Sequence, residues 1–260
     1  MIIKRMASFI RKHDWSAVVV EIIVVIVGLM LAFQLDRWWE QRGERAQETE
    51  YVARLIADVE ADIAALEHAV ELQSIRRDMA NLLMAVVADP EEATRRPVEF
   101  LGAILQSTFL YTPIPASHTF EDLRSTGNMR LIRNPEIKDL LHDYYGYDAD
   151  QRQFQVIWFG KELHHLKLAA GITSHEQEKF IQDTWVVLQP EEIEEVRAAK
   201  IDLDGVRATR DRFLARQDFI DWLPQTRAMQ LEQVKRNESI FEKGNAVTDA
   251  LSEYLESLEH

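Results

Sequence analysis

The chain has 260 residues with a formal net charge of −14. With nine Gly, seven Pro and an abundance of Ala, Leu, Glu, Arg and Gln, it favours helix and excludes an all-β domain. It has no Cys, which excludes disulfides, thiolate metal sites and Cys nucleophiles.

Residues 1–14 form a basic lead-in, with Lys4, Arg5, Arg11 and Lys12 set among Ile2, Ile3, Met6, Phe9 and Ile10. Residues 1–16 carry a net +3, and residues 36–260 a net −16. A body so acidic is a poor polyanion binder, so nucleic acid is not an expected partner. The same charge opposes its approach to an anionic lipid surface.

The segment Trp15–Trp39 organises the rest. Val18 to Leu35 is eighteen residues, broken in its apolar character chiefly by Glu21 and Gln34. A bilayer core takes about 20 helical residues, and Trp15 to Trp38 spans about 35 Å as a helix. Trp15, Trp38 and Trp39 bracket the run as interfacial anchors, since indoles prefer the headgroup level. The lipid bilayer is therefore the first expected partner. A cleaved signal peptide would have a shorter apolar core and a small-x-small site, whereas this run leads into Gln34-Leu35-Asp36-Arg37-Trp38. The reading is an uncleaved signal anchor. The short basic tail places the N-terminus in the cytoplasm and residues 40–260 across the membrane.

Glu21, Val25, Gly28 and Ala32 share one face of this helix at four-three-four spacing. Gly28 and Ala32 form a small-xxx-small pair that admits a second helix, from another copy or from a membrane-protein partner. Glu21 either snorkels toward the near interface or hydrogen-bonds across that seam.

Beyond Trp39, Val52, Ile56, Val59, Ile63, Leu66 and Val70 recur every four or three residues and continue through Leu72, Met79, Leu82 and Val86. One helix is thus expected from the membrane to about residue 88, with a hinge available at Gly43. The stripe packs against the chain's own later helices, or alternatively against a second copy as a coiled coil. Pro97 opens a short helix, and Tyr111 to Ala116, with two prolines, is a rigid extended turn.

Thr119, with Asp122 three residues on, reads as the cap of a short helix, and Gly127 as its left-handed terminus. Asn134-Pro135 starts a helix to about Gly171. Ser174 and Gln177 form a capping box, Trp185 to Leu188 an apolar connector, and Pro190 opens a helix to about Lys200. Asp204 is the expected cap of a helix that Pro224 breaks, and Gln225 to about Leu258 is the last helix, with a possible interruption at Gly244. The fold class is all-α: an N-terminal transmembrane helix continues into a long helix that packs in an extramembrane bundle. The division is tail 1–14, span 15–39 and acidic bundle 40–260.

Three segments together, EIIVVIVGLMLAFQLDRWWEQR, YVARLIADVEADI and TFEDLRSTGNMRLIRNPEIKDLLHDYY, resemble an uncharacterised family of bacterial single-pass membrane proteins. The resemblance covers about half of the chain. It implies a short tail, one membrane helix and a helical domain, hence anchoring in a bacterial inner membrane with the domain in the periplasm. It implies no activity or catalytic residue. The chain has Asp36-Arg37-Trp38-Trp39 where many relatives carry more Asn.

Chemistry is sparse. Asp139/His142 and Glu162/His165 pair a carboxylate with an imidazole on one helix face, as di-iron bundles do, but both pairs fall on one helix about 35 Å apart. Solvated histidines are the simpler reading, and no metal or cofactor is assigned. Tyr144, Tyr145, Tyr147, Phe154, Trp158 and Phe159 read as bundle core rather than as a ligand pocket. The turn Ser125, Thr126, Gly127 and Asn128 is the preferred contact surface. No catalytic motif is present, so the expectation is a non-enzymatic anchored scaffold. The alternative is an extracytoplasmic sensor of a small ligand that acts through a partner protein.

Overall fold

The computed structural model describes residues 15–185 and 192–259, with side chains throughout except at 15–18, 147–155 and 259. The basic tail, Val186 to Leu188 and Pro190 lie outside the described residues. The described chain is helical throughout, with short connectors.

Helix α1 runs unbroken from Trp15 to Ala88, 74 residues and about 110 Å. It passes Gly43 without a hinge. From Val19 to Gly43 every residue is exposed, and Glu44 is the first that the rest of the chain partly covers. The apolar part of α1 is long enough and apolar enough to cross a membrane, and none of its most apolar window is covered by protein.

Beyond Glu44 the same helix enters the bundle. Its buried line is Val52, Leu55, Val59, Asp62, Leu66, Ala69 and Gln73, spaced three and four apart. The expected stripe is therefore rotated slightly. Ile56, Ile63 and Val70 are only half-buried, while Leu55, Asp62 and Gln73 take the seam. The partners are the chain's own later helices. Helix α9 (Gln217–Glu259) lies antiparallel to α1, as the pairings Glu48–Tyr254, Gln73–Gln230 and Asn81–Arg227 show. Helix α5 (Pro135–Ala169) runs parallel to α1, with Tyr144 at Asp62 and His165 at Thr226 of α9.

Short helices close the bundle. α2 (Glu92–Arg95), α3 (Pro97–Gln106), α6 (His175–Trp185), α7 (Ile193–Arg197) and α8 (Leu203–Leu214) pack at the end distant from the apolar rod. α4 (His118–Ser125) and a 3-10 turn (Asn128–Arg130) pack nearer to it. Two apolar cores result. The near core joins Val52 to Leu66 with Phe120, Ile137, Tyr144, Ile240 and Leu251. The far core joins Leu72 to Val86 with Phe100, Trp185, Phe213 and Phe219.

Local chemistry explains most boundaries. Asn134 caps α5 by accepting the Glu136 N–H at 2.9 Å, and Pro135 fills the first turn. Ser174 and Gln177 exchange the two capping-box hydrogen bonds, 2.9 and 3.3 Å. Among the described residues Gly127 and Gly171 are the two with positive φ, 75° and 81°, each just past a helix.

Five features differ from expectation. Ser117, not Thr119, precedes α4, and the Thr119 N–H donates to Asp58 of α1 at 3.1 Å. Asp202, not Asp204, caps α8, accepting from the N–H groups of Asp204 and Gly205 at 3.0 Å each. α8 ends at Leu214, and Pro224 lies inside α9, eight residues in, after the helix has restarted at Gln217. Gly244 does not interrupt α9; a Cβ there would approach Ile63 to 3.0 Å, so the glycine lets α9 lie close on α1. α7 is also shorter than expected, ending at Arg197.

Candidate functional site

Three regions hold the residues singled out in the sequence. The first is the exposed rod. Glu21, Val25, Gly28 and Ala32 are all exposed, and a Cβ on Gly28 would meet nothing within 4 Å. None of the described elements covers this face. Trp15 begins α1, but its side chain is outside the description. Trp38 and Trp39 are exposed and meet edge-to-face, with ring centroids 5.0 Å apart.

The second region is the base of the bundle, just past those indoles. The Arg42 guanidinium lies 5.3 Å from the Trp38 ring centroid. The segment after the 3-10 turn folds onto the same stretch of α1: Arg130 and Arg133 each reach Glu44 at 3.4 Å, and Arg133 reaches Glu48 at 3.6 Å. Glu48 is fully buried; one oxygen accepts from the Arg133 N–H at 2.7 Å and from the Tyr254 hydroxyl. Burial raises the Tyr254 pKa, and the Glu48 hydrogen bond adds to that, so the phenol stays a donor. Trp38, Gln41, Arg42, Arg45 and Arg133 line an open groove of about 350 Å³.

The turn Ser125–Asn128 sits on this base. Ser125, Thr126 and Gly127 are exposed. The Thr126 hydroxyl donates to the Asp122 carbonyl at 2.6 Å, and the Asn128 amide donates to the Tyr51 hydroxyl at 3.1 Å. The turn is thus pinned to α1 as well as ending α4.

The third region is a polar belt between the two apolar cores. Thr226, Gln230, Gln233 and Asn237 form a buried stripe on α9 at four-three-four spacing. Gln230, Gln233 and Asn237 grip the connector that leaves α3, in which Ser107 and Phe109 still donate to the α3 carbonyls of Ala103 and Gln106 while the backbone beyond lies outside any helix or sheet. The Gln230 amide donates to the carbonyls of Ser107 (2.7 Å) and Phe109 (3.1 Å), and Asn237 donates to the Tyr111 carbonyl (2.9 Å). The segment's N–H groups are met by carboxylates: Leu110 by Glu162 at 3.0 Å and Ala116 by Asp62 at 2.6 Å. Burial raises the pKa of both acids; for Asp62 the Ala116 and Tyr144 bonds oppose it, and for Glu162 the Leu110 bond and the Arg76 charge do. Burial also lowers Arg76 to about 10, which leaves it cationic near neutrality.

Beside the belt lies a cleft of about 370 Å³ lined by Tyr111, Thr112, Trp158, Phe159, Glu162, Gln233 and Arg236, among others. The expected aromatic core is divided here. Tyr144 and Tyr145 are buried, Trp158 nearly so, and Phe159 is 66% exposed. The side chains of Tyr147 and Phe154 lie outside the description.

The carboxylate–imidazole pairs do not converge. α5 is unbroken through Gly146 and Gly160, so they stay about 35 Å apart. Asp139 and His142 are exposed. His165 is not solvated, as expected, but fully buried: Nε2 donates to the Ile104 carbonyl at 2.9 Å, and Nδ1 accepts from the Thr226 hydroxyl at 3.1 Å. Burial pulls its pKa down to about 4, so it is neutral. No group of three metal-ligating side chains occurs among the described residues.

The α9 stripe gave no sequence signal, because polar residues on an amphipathic helix read as its solvated face. The arginine cluster gave none either, because it joins residues about 90 positions apart. Comparison of the chain with protein-family models, with curated proteins and with solved structures found no match in any of the three.

Proposed function

We propose that the chain is a single-pass membrane protein whose helical bundle is held at the bilayer surface as a non-enzymatic interaction scaffold. The observation that carries this is the rod Val19–Gly43, apolar over most of its length and exposed at every residue. Left in water, that much apolar surface would drive aggregation, so lipid or another apolar helix must cover it. The Glu21–Val25–Gly28–Ala32 face is the seam for a second copy or a partner helix, as small residues permit close approach. The basic tail supports a cytoplasmic N-terminus, and the three resembling segments support placement in that bacterial family, in the inner membrane with the bundle periplasmic.

The absence of Cys makes the test clean, because each introduced cysteine is the sole one. In membranes resistant to carbonate extraction, V25C and G28C should crosslink through disulfides, and I23C, on the opposite face, should not. Equal crosslinking at all three positions, or at none, removes the seam. External protease on sealed spheroplasts should degrade residues 40–260; protection of that part overturns the orientation.

A sensor role is the second reading, and the cleft beside the belt favours it. Its aromatic walls with Glu162, Gln233 and Arg236 suit a small polar aromatic or zwitterionic ligand. A thermal-shift screen of free amino acids and aromatic acids against the full chain tests it. A stabilisation that W158A removes supports it, and a flat response counts against it.

A further inference from the structure

An acidic body tethered to a bilayer is repelled by anionic headgroups unless its contact face is locally different. It is different here. The net −16 of residues 36–260 is distributed so that the end abutting the apolar rod presents arginines. Arg42 and Arg45 point from the same face of α1 as Trp38, whereas Asp36 and Glu40 fall on the opposite face at 100° per residue. Among the described residues neither Arg42 nor Arg45 has a carboxylate within ion-pair distance, and the Trp38 ring is the recorded neighbour of the Arg42 guanidinium. Arg133 joins them from the far side of the groove, positioned by Glu44 and Glu48. Arg130 also leans on Glu44. The four guanidiniums and two carboxylates leave a local net positive charge, at a place the fold assembles from two distant segments.

Height fits as well. Arg42 lies about 6 Å and Arg45 about 10 Å along α1 from Trp38, and the headgroup layer beyond the hydrocarbon is about 5–8 Å deep on each side. With the indole at the interface, the groove opens at phosphate level.

Resting on the membrane-spanning reading above, we propose that the groove of Trp38, Gln41, Arg42, Arg45 and Arg133 binds the headgroup phosphate of an anionic phospholipid in the adjoining leaflet. Guanidiniums are suited to this, as they offer paired N–H donors to phosphate oxygens and are weakly hydrated. Gln41 adds a neutral amide donor. The site fixes how the bundle sits on the membrane, and with it the height and facing of the Ser125–Asn128 turn just above.

The test uses the full chain in bilayers of phosphatidylcholine with phosphatidylglycerol, one lipid at a time carrying a photoactivatable diazirine on its headgroup. Peptide mapping separates labelling near 38–45 and 130–133 from labelling of the basic tail in the other leaflet. The glycerol lipid should label the groove about fivefold more than the choline lipid at low salt. R42Q/R45Q, whose side chains make no ion pair to lose, should bring the ratio close to one and leave helical content and carbonate resistance unchanged. R42K/R45K should retain part of it. Equal labelling by the two lipids in the unaltered chain, or a preference that survives R42Q/R45Q, overturns the site. Preferential labelling that millimolar inorganic phosphate abolishes also overturns it, marking a free-anion site instead. Release by carbonate would sink the membrane-spanning reading itself, a failure distinct from a chain that stays anchored and shows no lipid preference.

Discussion

His165 makes the bundle sensitive to mild acid, and the size of the effect follows from its surroundings. Its ring is buried against α3 and α9 and neutral, with a pKa near 4, whereas an unfolded histidine titrates at about 6.5. The folded state therefore holds fewer protons than the unfolded state between these values. The stability that the neutral ring supports is present above pH 6.5 and declines as pH falls toward 4. From pH 8 to pH 5.5 the loss from this one group is about 1.4 kcal/mol, which for a domain of this size lowers Tm by roughly 3–6 °C. Asp62 and Glu162 act with the opposite sign: their raised pKa values withdraw stability as pH rises from the ordinary carboxylate value through the folded one. Thermal melts of the full chain in neutral detergent, followed by circular dichroism at both pH values, measure the slope. His165→Gln keeps an amide donor for the Ile104 carbonyl and cannot be protonated. It should melt lower than the natural chain at pH 8 and show a smaller drop on going to pH 5.5. An unchanged drop would refute the assignment of the slope to His165.

Gly102→Ala should destabilise by about 1–3 kcal/mol, since its Cβ would sit 2.6 Å from the Trp185 indole, an overpacked contact that outweighs the gain in helix propensity; a melt reads it. Gln230→Leu strands the Ser107 carbonyl and the Gln73 amide and leaves the Phe109 carbonyl with only the 3.5 Å bond from Arg76, so a loss of about 3 kcal/mol and faster proteolysis within 107–116 are expected. Asp202→Ala should cost about 1 kcal/mol as a lost cap, and Asp204→Ala much less; the reverse order would contradict the observed cap.

The elements that the sequence made legible are those governed by local chemistry. The apolar run, Asn134-Pro135, the Ser174–Gln177 box and Gly127 each announce themselves within four residues, and the structure has them where expected. The misplacements arise where distant residues do the local work. Thr119 looked like a cap because it is a hydroxyl ahead of an acid, yet the donors at the start of α4 are met by Asp58 and Asp62, 61 and 54 residues earlier. Pro224 looked like a breaker because it is a proline in a helical pattern. Its place early in α9 means that the chain had already turned at Ala215 and Arg216, where no proline or glycine signals it. Likewise Gln230 and Asn237 look like surface residues until the connector after α3, with the carbonyls of Ser107, Phe109 and Tyr111 turned to them, is laid against them.

This last point bears on why the acidic surplus does not weaken the fold. Four acids on the buried side of α1 and α5, namely Glu48, Asp58, Asp62 and Glu162, accept backbone N–H groups of the 110–133 segment instead of facing one another. Carboxylates so used supply acceptors to N–H groups of the connectors and of the first turn of α4, which have no partner in a regular ladder. Deleting the carboxylate should therefore cost more than removing its charge: Asp62→Ala removes the acceptor of the Ala116 N–H and the bond that the Tyr144 hydroxyl donates to Asp62, a loss of about 2–4 kcal/mol. Asp62→Asn retains one carbonyl oxygen and relieves the burial of charge, so its loss should be less than half of that. Denaturant melts of the two variants decide it. An Asn variant as unstable as the Ala variant would mean that the negative charge itself, and not its hydrogen bonds, holds the connector in place.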